Sequence, residues 1–292
     1  MIFLKRNEID INRWNGVVAA HGKGLPYAFT NVLDETTGHC WEAIIDDNYE
    51  WIFPLPFNRK FIFKQYYAPY CLQQLGIIGN KMPDALTWNS IISMIKKNSV
   101  RSRINLNEQN ASFASDHWQT KVNYVLPLYK DYDQLNKDYK KSLQQVLKKK
   151  EIYHITIQKD LELTTFLKHY FIHTFVKYAD TENVSESYIQ ECFRQFSKLG
   201  MVNTLIAKDQ NGRVIAGILY LKTKERIINS LQFADPEYRN LSGPSLLIDE
   251  AVKMYAGQPL ELDFEGSEIP SISNFYKAFN PDTRHYGLMK IR

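Results

Sequence analysis

Cysteine is scarce in this chain of 292 residues. Cys40, Cys71 and Cys192 are widely spaced and odd in number, which argues against a disulfide framework and a cysteine-based zinc site. No apolar run approaches the length that spans a membrane, and charge appears at Lys5 and Arg6, too early for a signal peptide. We therefore expect a cytoplasmic protein with no membrane insertion, and the sequence shows no evident membrane-surface patch.

The excess of charge of one sign is also small. A net charge of +4 permits a phosphate-bearing partner but is lower than expected for a dedicated nucleic-acid binder. Hydrophobic residues make up 44% and charged residues 23%, the balance of a globular protein with a core. Because 292 residues suit two domains of ordinary size, we predict domains at 1–130 and 131–292.

The first half alternates short apolar segments with amphipathic ones. Its pattern predicts helices at 9–20 and 84–97, and strands or extended segments at 40–45, 51–56, 65–70, 72–78, 103–107 and 121–128. A lysine-rich helix is predicted at 132–150, where Lys137, Lys141 and Lys148 recur at helical spacing beside an apolar side.

The second half has a clearer order of elements. The pattern predicts helices at 161–178, 185–199, 243–255 and 269–279, and strands at 201–208, 213–222, 226–234, 260–265 and 285–291. Asn211-Gly212 between the first two strands is a strong hairpin signal. This order predicts an α/β (α+β) fold with a mixed, mainly antiparallel sheet flanked by helices.

Ordered motifs along the whole chain resemble the Fem-like and BioF2-like acyltransferases. Leu262-Asp263-Phe264-Glu265-Gly266-Ser267, followed by Asn274-Phe275-Tyr276-Lys277-Ala278-Phe279, resembles the "DFEGS…FY/F-x-x-F" ending of that group. Tyr70 with Gln73-Gln74-Leu75-Gly76, and Tyr139-Lys140-Lys141-Ser142-Leu143, resemble two further motifs. The resemblance implies two tandem GNAT-like modules and the transfer of an acyl or aminoacyl group to an amine.

The resemblance also implies the partners. The donor would be acyl-CoA or aminoacyl-tRNA, used as a co-substrate with no tightly bound cofactor. The acceptor would be a small-molecule or peptide amine, such as that of a cell-wall precursor. A non-catalytic GNAT-like module that binds a nucleotide-linked, peptide or RNA ligand is the alternative function.

One segment occupies the place of the GNAT cofactor loop, Gln/Arg-x-x-Gly-x-Gly/Ala, whose amides hold a pyrophosphate at a helix N-terminus. The likeness implies cofactor contacts from Arg239, Ser242, Gly243 and Ser245. Ser242 and Pro244 stand where the family has glycines, and proline lacks an amide that a phosphate could use. Acyl-CoA and aminoacyl-tRNA therefore both remain open as donors.

The strand at 260–265 carries the candidate acid–base groups. Alternation places Glu261, Asp263 and Glu265 on one face, where repulsion and burial in a cleft would raise a carboxyl pKa toward that of a useful base. Asp263 and Glu265 are the candidates for binding and deprotonating the acceptor amine; a solvated face or pairing with local lysines is the alternative. Tyr276 is the candidate acid for the leaving group, and a core ring is its alternative.

Substrate contacts are predicted from polar residues elsewhere. Gln73, Gln74 and Gln232 are candidate ligands of the substrate; for Gln73 and Gln74, a buried, hydrogen-bonded glutamine is the alternative. Lys137 and Lys141 are candidates for the phosphates of a nucleotide-linked acceptor or tRNA, with a solvated face as the alternative.

Two patterns predict no chemistry. His169 and His173 have the i, i+4 spacing of zinc ligands but lack an acidic third ligand in the motif, so no metal site is predicted. Cys192 lies in an amphipathic helix and is expected to be buried.

Overall fold

The structure, a computed structural model, describes residues 1–113, 118–175, 184–266 and 268–291. The chain forms two compact units: unit 1 is Met1–Val122 with Arg284–Arg292, and unit 2 is Asn123–Thr283. The predicted boundary at 130/131 differs from this division in two respects. The chain enters unit 2 eight residues earlier, and its last nine residues return to unit 1 because they pair with a strand there.

The bounds of the elements are as follows. The strands are β1 (Ile2–Lys5), β2 (Trp41–Ile45), β3 (Trp51–Lys60), β4 (Phe63–Tyr66), β5 (Ile78–Gly79), β6 (Arg101–Leu106), β7 (Trp118–Pro127), β8 (Thr156–Lys159), β9 (Val202–Lys208), β10 (Val214–Lys222), β11 (Arg226–Ala234), β12 (Glu261–Asp263) and β13 (Asp282–Ile291). The helices are α1 (Ile11–His21), α2 (Thr30–Thr37), α3 (Ala85–Asn98), α4 (Tyr132–Asp138), α5 (Lys141–Leu147), α6 (Lys149–Ile152), α7 (Leu163–His173), α8 (Glu186–Lys198), α9 (Gly243–Tyr255) and α10 (Pro270–Tyr276).

Unit 1 is built on a mixed sheet in the order β1-β2-β3-β4-β6-β13, in which only the β4–β6 pair is parallel. Every residue of β2 is buried, and α3 packs its apolar side against the same core, with Asp84 capping its first turn. This core comprises Ile44, Trp51, Phe53, Leu55, Tyr66, Ile77, Trp88, Ile91, Ile95, Ile104, Leu106, Met289 and Ile291.

A tight connection before β5 depends on one glycine. Gly76 has φ +80°, and a Cβ at this position would overlap the Asn110 side chain and approach the backbone at Leu106 and Asn107. The side-chain amide of Asn107 donates to the backbone carbonyls of Leu75 and Ile77, on either side of the glycine. The motif around Gly76 is therefore a locked backbone turn.

Unit 2 has the sheet order β7-β12-β11-β10-β9-β8. The β11–β12 pair is parallel and the others are antiparallel, with the hairpin between β9 and β10 where Asn211-Gly212 predicts it. Helix α7 packs on β9, β10 and β11, and α9 also packs on these strands. β12 pairs with only the first three residues of β11, which continues to Ala234.

The predicted lysine-rich helix 132–150 is wrong as a single element. Tyr139 and Lys140 are extended, with ψ of 150° and 141°, and separate α4 from α5. The break is stabilised because the Lys140 amide donates to the Ala278 carbonyl and the Tyr139 ring packs edge-on against Phe279, 5.3 Å between centroids. Lys137 and Lys141 therefore lie on different helices.

Other boundaries also differ from the sequence pattern. The predicted strand 260–265 is only β12, the predicted helix 269–279 ends as α10 at Tyr276 before a 3₁₀ turn, and the extended segments 65–70 and 72–78 contribute only the end of β4 and part of β5. The elements β1, α2 and β8 were not predicted. The end of the predicted helix 161–178 lies partly outside the described residues.

We expect Gly76→Ala to lower the free energy of unfolding by about 1–3 kcal/mol or more, because crowding adds to the strain of a positive φ. Gly38→Ala is the matched control: its φ is +58°, but nothing lies within 4 Å of the added Cβ. It should cost about 1 kcal/mol. Urea unfolding of both variants measures the difference, and equal losses would contradict the locked turn.

Candidate functional site

A β-bulge in β11 determines which side chains share a face of the unit 2 sheet. Leu219 pairs with Leu231 but Tyr220 pairs with Asn229, so Ser230 is an extra residue on β11. In a regular strand, residues three apart point to opposite faces. The extra residue places Asn229 on the same face as Gln232, because their partners Tyr220 and Ile218 are two residues apart.

Tyr276 of α10 completes a buried polar cluster with these two residues. The Gln232 side-chain amide donates to the Tyr276 hydroxyl at 3.4 Å. The Asn229 side chain, only 5% exposed, approaches the same hydroxyl without completing a hydrogen bond, and neither of its amide atoms has a partner among the described residues. The side-chain oxygen of Gln232, Oε1, is likewise buried and unpartnered in the described part of the chain.

Such a cluster is costly for the folded protein. A buried polar group without a hydrogen bond costs about 1–3 kcal/mol, and most native proteins avoid it. Asn229 and Gln232 together leave both donor and acceptor capacity unused. The arrangement is typical of a surface built for a polar ligand.

Burial and Glu265 affect the pKa of Tyr276, and Phe264 packs against its ring. Burial raises the pKa of its hydroxyl above the usual value, and the negative charge of Glu265 raises it further. The hydroxyl is therefore protonated at neutral pH and able to donate a hydrogen bond. The ring is fixed by Phe264, whose centroid lies 4.8 Å away.

Asp263, one of the two predicted bases, lies outside the polar cluster around Tyr276. Its side chain is completely buried, and Oδ2 accepts from Arg226 Nη1 at 2.5 Å. Oδ1 accepts from the Asn123 side-chain amide at 3.0 Å and from the Glu265 backbone amide at 2.8 Å. A carboxylate held by a buried guanidinium and two amides is poorly suited to take a proton from a substrate.

The sheet register gives a second reason for correcting the assignment of Asp263. Asp263 lies beside Ile228, and Asn229 is the next residue along β11. Successive residues of a strand point to opposite faces, so Asp263 and the polar cluster lie on opposite sides of the sheet. The predicted row of three carboxylates also ends early, because β12 stops at Asp263 and Glu265 has φ +55°.

Arg226 balances the negative charge of the acidic residues of β12. Its guanidinium lies between two of the predicted acids, with Nε 3.7 Å from Glu261 in addition to the Asp263 contact. The predicted repulsion between these carboxylates is thus offset by an arginine, where the sequence interpretation considered lysines. Of the predicted acids, only Glu265 is close enough to Tyr276 to affect its pKa.

In the predicted phosphate loop, Gly243 has a packing role. A Cβ on Gly243 would lie 2.5 Å from that of Ala216, so glycine is required for close packing of α9 on β10. The Ser245 amide donates to the Ser242 carbonyl, and Pro244 has no amide. An α-helix ordinarily leaves four amides free at its start, and here three of them are absent or used, those of Ser242, Pro244 and Ser245.

The remaining loop residues do not form one cradle. Arg239 is exposed on the 3₁₀ turn before α9, and Ser245 is buried. Ser242 adopts φ +57°, and its hydroxyl accepts from the Lys149 ammonium at 3.2 Å. The same ammonium donates to the Asn240 carbonyl at 2.5 Å. Lys149 thus ties α6 to this loop.

The other predicted substrate residues are dispersed. Gln74 is buried, donates to Gln73 at 3.2 Å and accepts from the Glu108 amide at 3.1 Å, which is the structural alternative of the prediction. Gln73 is half-buried. Lys137 and Lys141 are exposed. Of the predicted substrate residues, Gln232 is the one that the structure places in the cluster with Tyr276.

An apolar groove occurs in unit 1, apart from these residues. It has a volume of about 770 Å³ and lies between β1 and α3. Its lining residues are Met1, Phe3, Leu86, Asn89, Ser90, Ser93, Met94, Lys97 and Asn98, which include none of the predicted site residues.

The histidine pair is part of an aromatic stack. His169 and His173 lie parallel, 6.1 Å apart, and both stack on Phe233 at 5.4 and 5.8 Å. Within the described ranges, no group of three or more histidine, cysteine or acidic residues could hold a metal ion. Cys192 is buried in α8. No helix in the described part of the chain is long and apolar enough to cross a membrane.

Sequence reasoning missed Asn229 and Arg226. Both are polar residues in β11, whose neighbours are mostly buried and apolar. A polar side chain inside an apolar strand pattern was the available indication. The pattern could not reveal which face each side chain occupies, because that depends on the bulge.

We expect Asp263→Asn to lower the free energy of unfolding by about 3–5 kcal/mol, because it leaves the Arg226 guanidinium buried without its counter-charge. Glu265→Gln is the matched control and should change stability by about 1 kcal/mol or less. Urea denaturation of both variants tests this expectation. A stable Asp263→Asn protein would show that the ion pair is not structural.

The His169 stack predicts an acid-dependent loss of stability. Burial lowers the pKa of His169 below 6.5, and the nearby His173 lowers it further. A base with a lowered folded-state pKa binds fewer protons folded than unfolded. Its contribution to stability is therefore complete above pH 6.5 and is lost as the pH falls.

We expect His169→Gln to reduce the loss of stability between pH 7 and pH 5, measured as the midpoint of urea unfolding. His285→Gln, at an exposed position, serves as the control. Identical pH profiles for wild type and His169→Gln would contradict the effect.

Comparison with known proteins identifies the fold. No protein-family model matches the sequence, and no curated protein is similar to it in sequence. The crystal structure of FemX superposes with a TM-score of 0.68 at 12% identity, covering 99% of this chain and 97% of FemX.

Two further solved structures are similar over nearly their whole length. A conserved protein of unknown function from Bacteroides thetaiotaomicron has a TM-score of 0.56 at 11% identity, covering 99% of this chain and 100% of that one. L-PGS from Bacillus licheniformis has a TM-score of 0.55 at 10% identity, covering 97% and 92%. The chain therefore shares the fold of FemX and L-PGS, and the predicted α/β fold class is confirmed.

Proposed function

We propose that this chain transfers an acyl or aminoacyl group to an amine, and that the reaction takes place at Asn229, Gln232 and Tyr276. The observation that carries the proposal is the buried, incompletely hydrogen-bonded state of this cluster. It lies where β11 continues past the end of β12, so the backbone of β11 has no β12 partner beyond Ile228. The carbonyl oxygen of an acyl donor would accept a hydrogen bond from the unpartnered Asn229 side-chain NH₂.

The amides of Asn229 and Gln232 suit the developing oxyanion. When an amine attacks a carbonyl carbon, the carbonyl oxygen gains negative charge in the tetrahedral intermediate. Preorganised donors in a site that excludes water stabilise this charge more than they stabilise the ground state. The Asn229 side-chain NH₂ has no partner in the described part of the chain. The Gln232 side-chain NH₂ donates one hydrogen to Tyr276 at 3.4 Å and keeps a second.

Tyr276 and Glu265 would handle the protons. The amine nitrogen forms the new C–N bond, and the bond from the carbonyl carbon to the leaving oxygen or sulfur breaks. Tyr276 donates its proton to the leaving group, since its hydroxyl is kept protonated. Glu265 accepts a proton from the attacking amine and takes over the role that the sequence interpretation shared with Asp263.

The start of α9 is more consistent with an aminoacyl ester than with acyl-CoA as the donor. A pyrophosphate at the start of α9 would meet Pro244, which has no amide, and a Ser245 amide already donated to Ser242. An aminoacyl-tRNA does not require this site. A cell-wall precursor or another peptide that bears a primary amine is the proposed acceptor, and the finer FemAB-like or BioF2-like label rests on the sequence motifs alone.

We expect Tyr276→Phe and Asn229→Ala each to lower kcat about a hundredfold, because each removes one proton or hydrogen-bond donor from the transition state. Turnover is measured with aminoacyl-tRNA and acyl-CoA donors and a panel of amine acceptors, by mass gain of the acceptor. Asn229→Ala should leave the melting temperature unchanged or raise it, because it removes a buried polar group without a partner.

Tyr132→Phe is the matched control for the loss of a tyrosine hydroxyl. Tyr132 donates to the Asp249 carboxylate at 2.9 Å and lies outside the cluster, so this variant should lose stability but keep kcat. If no donor supports transfer while a nucleotide, peptide or RNA ligand binds, the non-catalytic alternative is correct.

A further inference from the structure

The hairpin between β3 and β4 carries an exposed apolar tip. Phe61 and Ile62 form its two-residue turn and are 87% and 81% exposed, and the next residue, Phe63, is 52% exposed. Large apolar side chains that project singly are common on proteins, but three in succession at a turn are not. They form one contiguous apolar surface, which we call the hairpin tip.

The turn itself is an unfavourable place for these residues. Phe61 has φ +57° at the first position of a two-residue turn, where a type II′ hairpin favours glycine. A bulky residue with positive φ is strained. Strain of this kind persists where the surrounding structure holds it, and it is found at functional surfaces.

The base of the hairpin holds the tip rigidly. Lys64 donates to both oxygens of the buried Glu42 carboxylate at 2.6 and 2.8 Å. Its ammonium also lies 4.9 Å from the centroid of the Phe57 ring. Tyr66 donates to the same carboxylate. The tip is thus presented from a fixed scaffold.

Basic residues greatly outnumber acidic ones in the sequence segment that contains the tip. The segment 51–107 contains the basic residues Arg59, Lys60, Lys64, Lys81, Lys96, Lys97, Arg101 and Arg103 and a single acidic residue, Asp84. Arg59 and Lys60 directly precede the turn, are exposed, and form no ion pair with a described residue. Just before β6, the backbone amide of half-exposed Val100 donates to the backbone carbonyl of Lys64. The next residue, Arg101, is exposed.

We propose that the hairpin tip docks this protein on the surface of a bilayer that contains anionic lipid. Phe61 and Ile62 enter the boundary between headgroups and acyl chains, and Arg59 and Lys60 contact lipid phosphates. Apolar side chains flanked by basic ones match such a surface, whose outer layer is anionic and whose interior is apolar. A nucleic acid would match the basic residues but offers isoleucine no favourable contact.

This mode of association requires no membrane-spanning element. It therefore agrees with the finding that no described helix could cross a membrane. It goes beyond the sequence analysis, in which no membrane-surface patch was evident. It is independent of the proposed reaction, because the hairpin tip belongs to unit 1 and the polar cluster to unit 2.

The test is sedimentation of the full chain with vesicles of phosphatidylcholine alone or phosphatidylcholine mixed with phosphatidylglycerol. We expect binding to the mixed vesicles, weakened by salt. The double variant Phe61→Gly, Ile62→Ser should weaken it at least tenfold. Because glycine relieves the positive φ and Gly-Ser suits a type II′ turn, this variant should keep its melting temperature.

Matched variants separate the apolar from the basic contribution. Arg59→Gln with Lys60→Gln should weaken binding to the mixed vesicles about tenfold or more. Ile172→Ser, which removes an exposed isoleucine in unit 2, and Lys168→Gln with Lys224→Gln, which removes two exposed charges there, should leave binding unchanged. The proposal is overturned if wild type binds neither vesicle, or if the Phe61→Gly, Ile62→Ser variant binds as well as wild type. It is also overturned if Arg59→Gln with Lys60→Gln weakens binding of a single-stranded RNA but not binding of the mixed vesicles.

Discussion

The buried ion pair between Arg226 and Asp263 is the interaction on which unit 2 depends. It joins the first residue of β11 to the last residue of β12 and so fixes the parallel register of these two strands. Replacing such a pair by apolar residues is often neutral for stability, whereas removing one partner leaves a buried charge unpaired and is costly. That register determines where β12 stops, and beyond this point β11 continues without it.

A bulge in β11 places Asn229 and Gln232 on one face of the sheet, beside Tyr276. In a regular strand without this bulge, Gln232 would point toward the same face as Asp263, away from Asn229 and Tyr276. With the bulge, the charged side chains stabilise one face of the sheet, and the incompletely bonded polar side chains occupy the other. The strand that resembles the acidic motif of the Fem-like group is thus divided between a structural acid, Asp263, and a reactive candidate, Glu265.

Sequence patterns predicted the fold better than the site. Periodicity and turn residues are local, so the β9–β10 hairpin, the antiparallel meander and the helix after it were predicted correctly. Tyr276 and Gln232 were also among the predicted residues, and the structure brings them together. The fold class was predicted correctly because the order of elements along the chain limits the possible topologies.

The errors have a common physical cause, which is that contacts distant in sequence override a local pattern. Alternation extended the acidic strand to Glu265, but β12 ends at Asp263, where Oδ1 accepts from the Glu265 amide. Helical spacing joined 132–150 into one helix, but a hydrogen bond from Lys140 to Ala278 interrupts it. The pairing of Asn229 with Gln232 on one face could not be recognised because it depends on a bulge. The basic residues beside the hairpin tip were hidden by a net charge averaged over the whole chain.

The central claim is that Asn229 and Gln232 keep their amide groups available for the carbonyl of a donor. It is tested most directly by nuclear magnetic resonance of the two side-chain amides during titration with a non-reactive aminoacyl-nucleoside amide. The account predicts that both side-chain NH₂ signals shift as the analogue binds and return when it is displaced. If the analogue binds and these signals stay in place, the cluster is not where the acyl group is held.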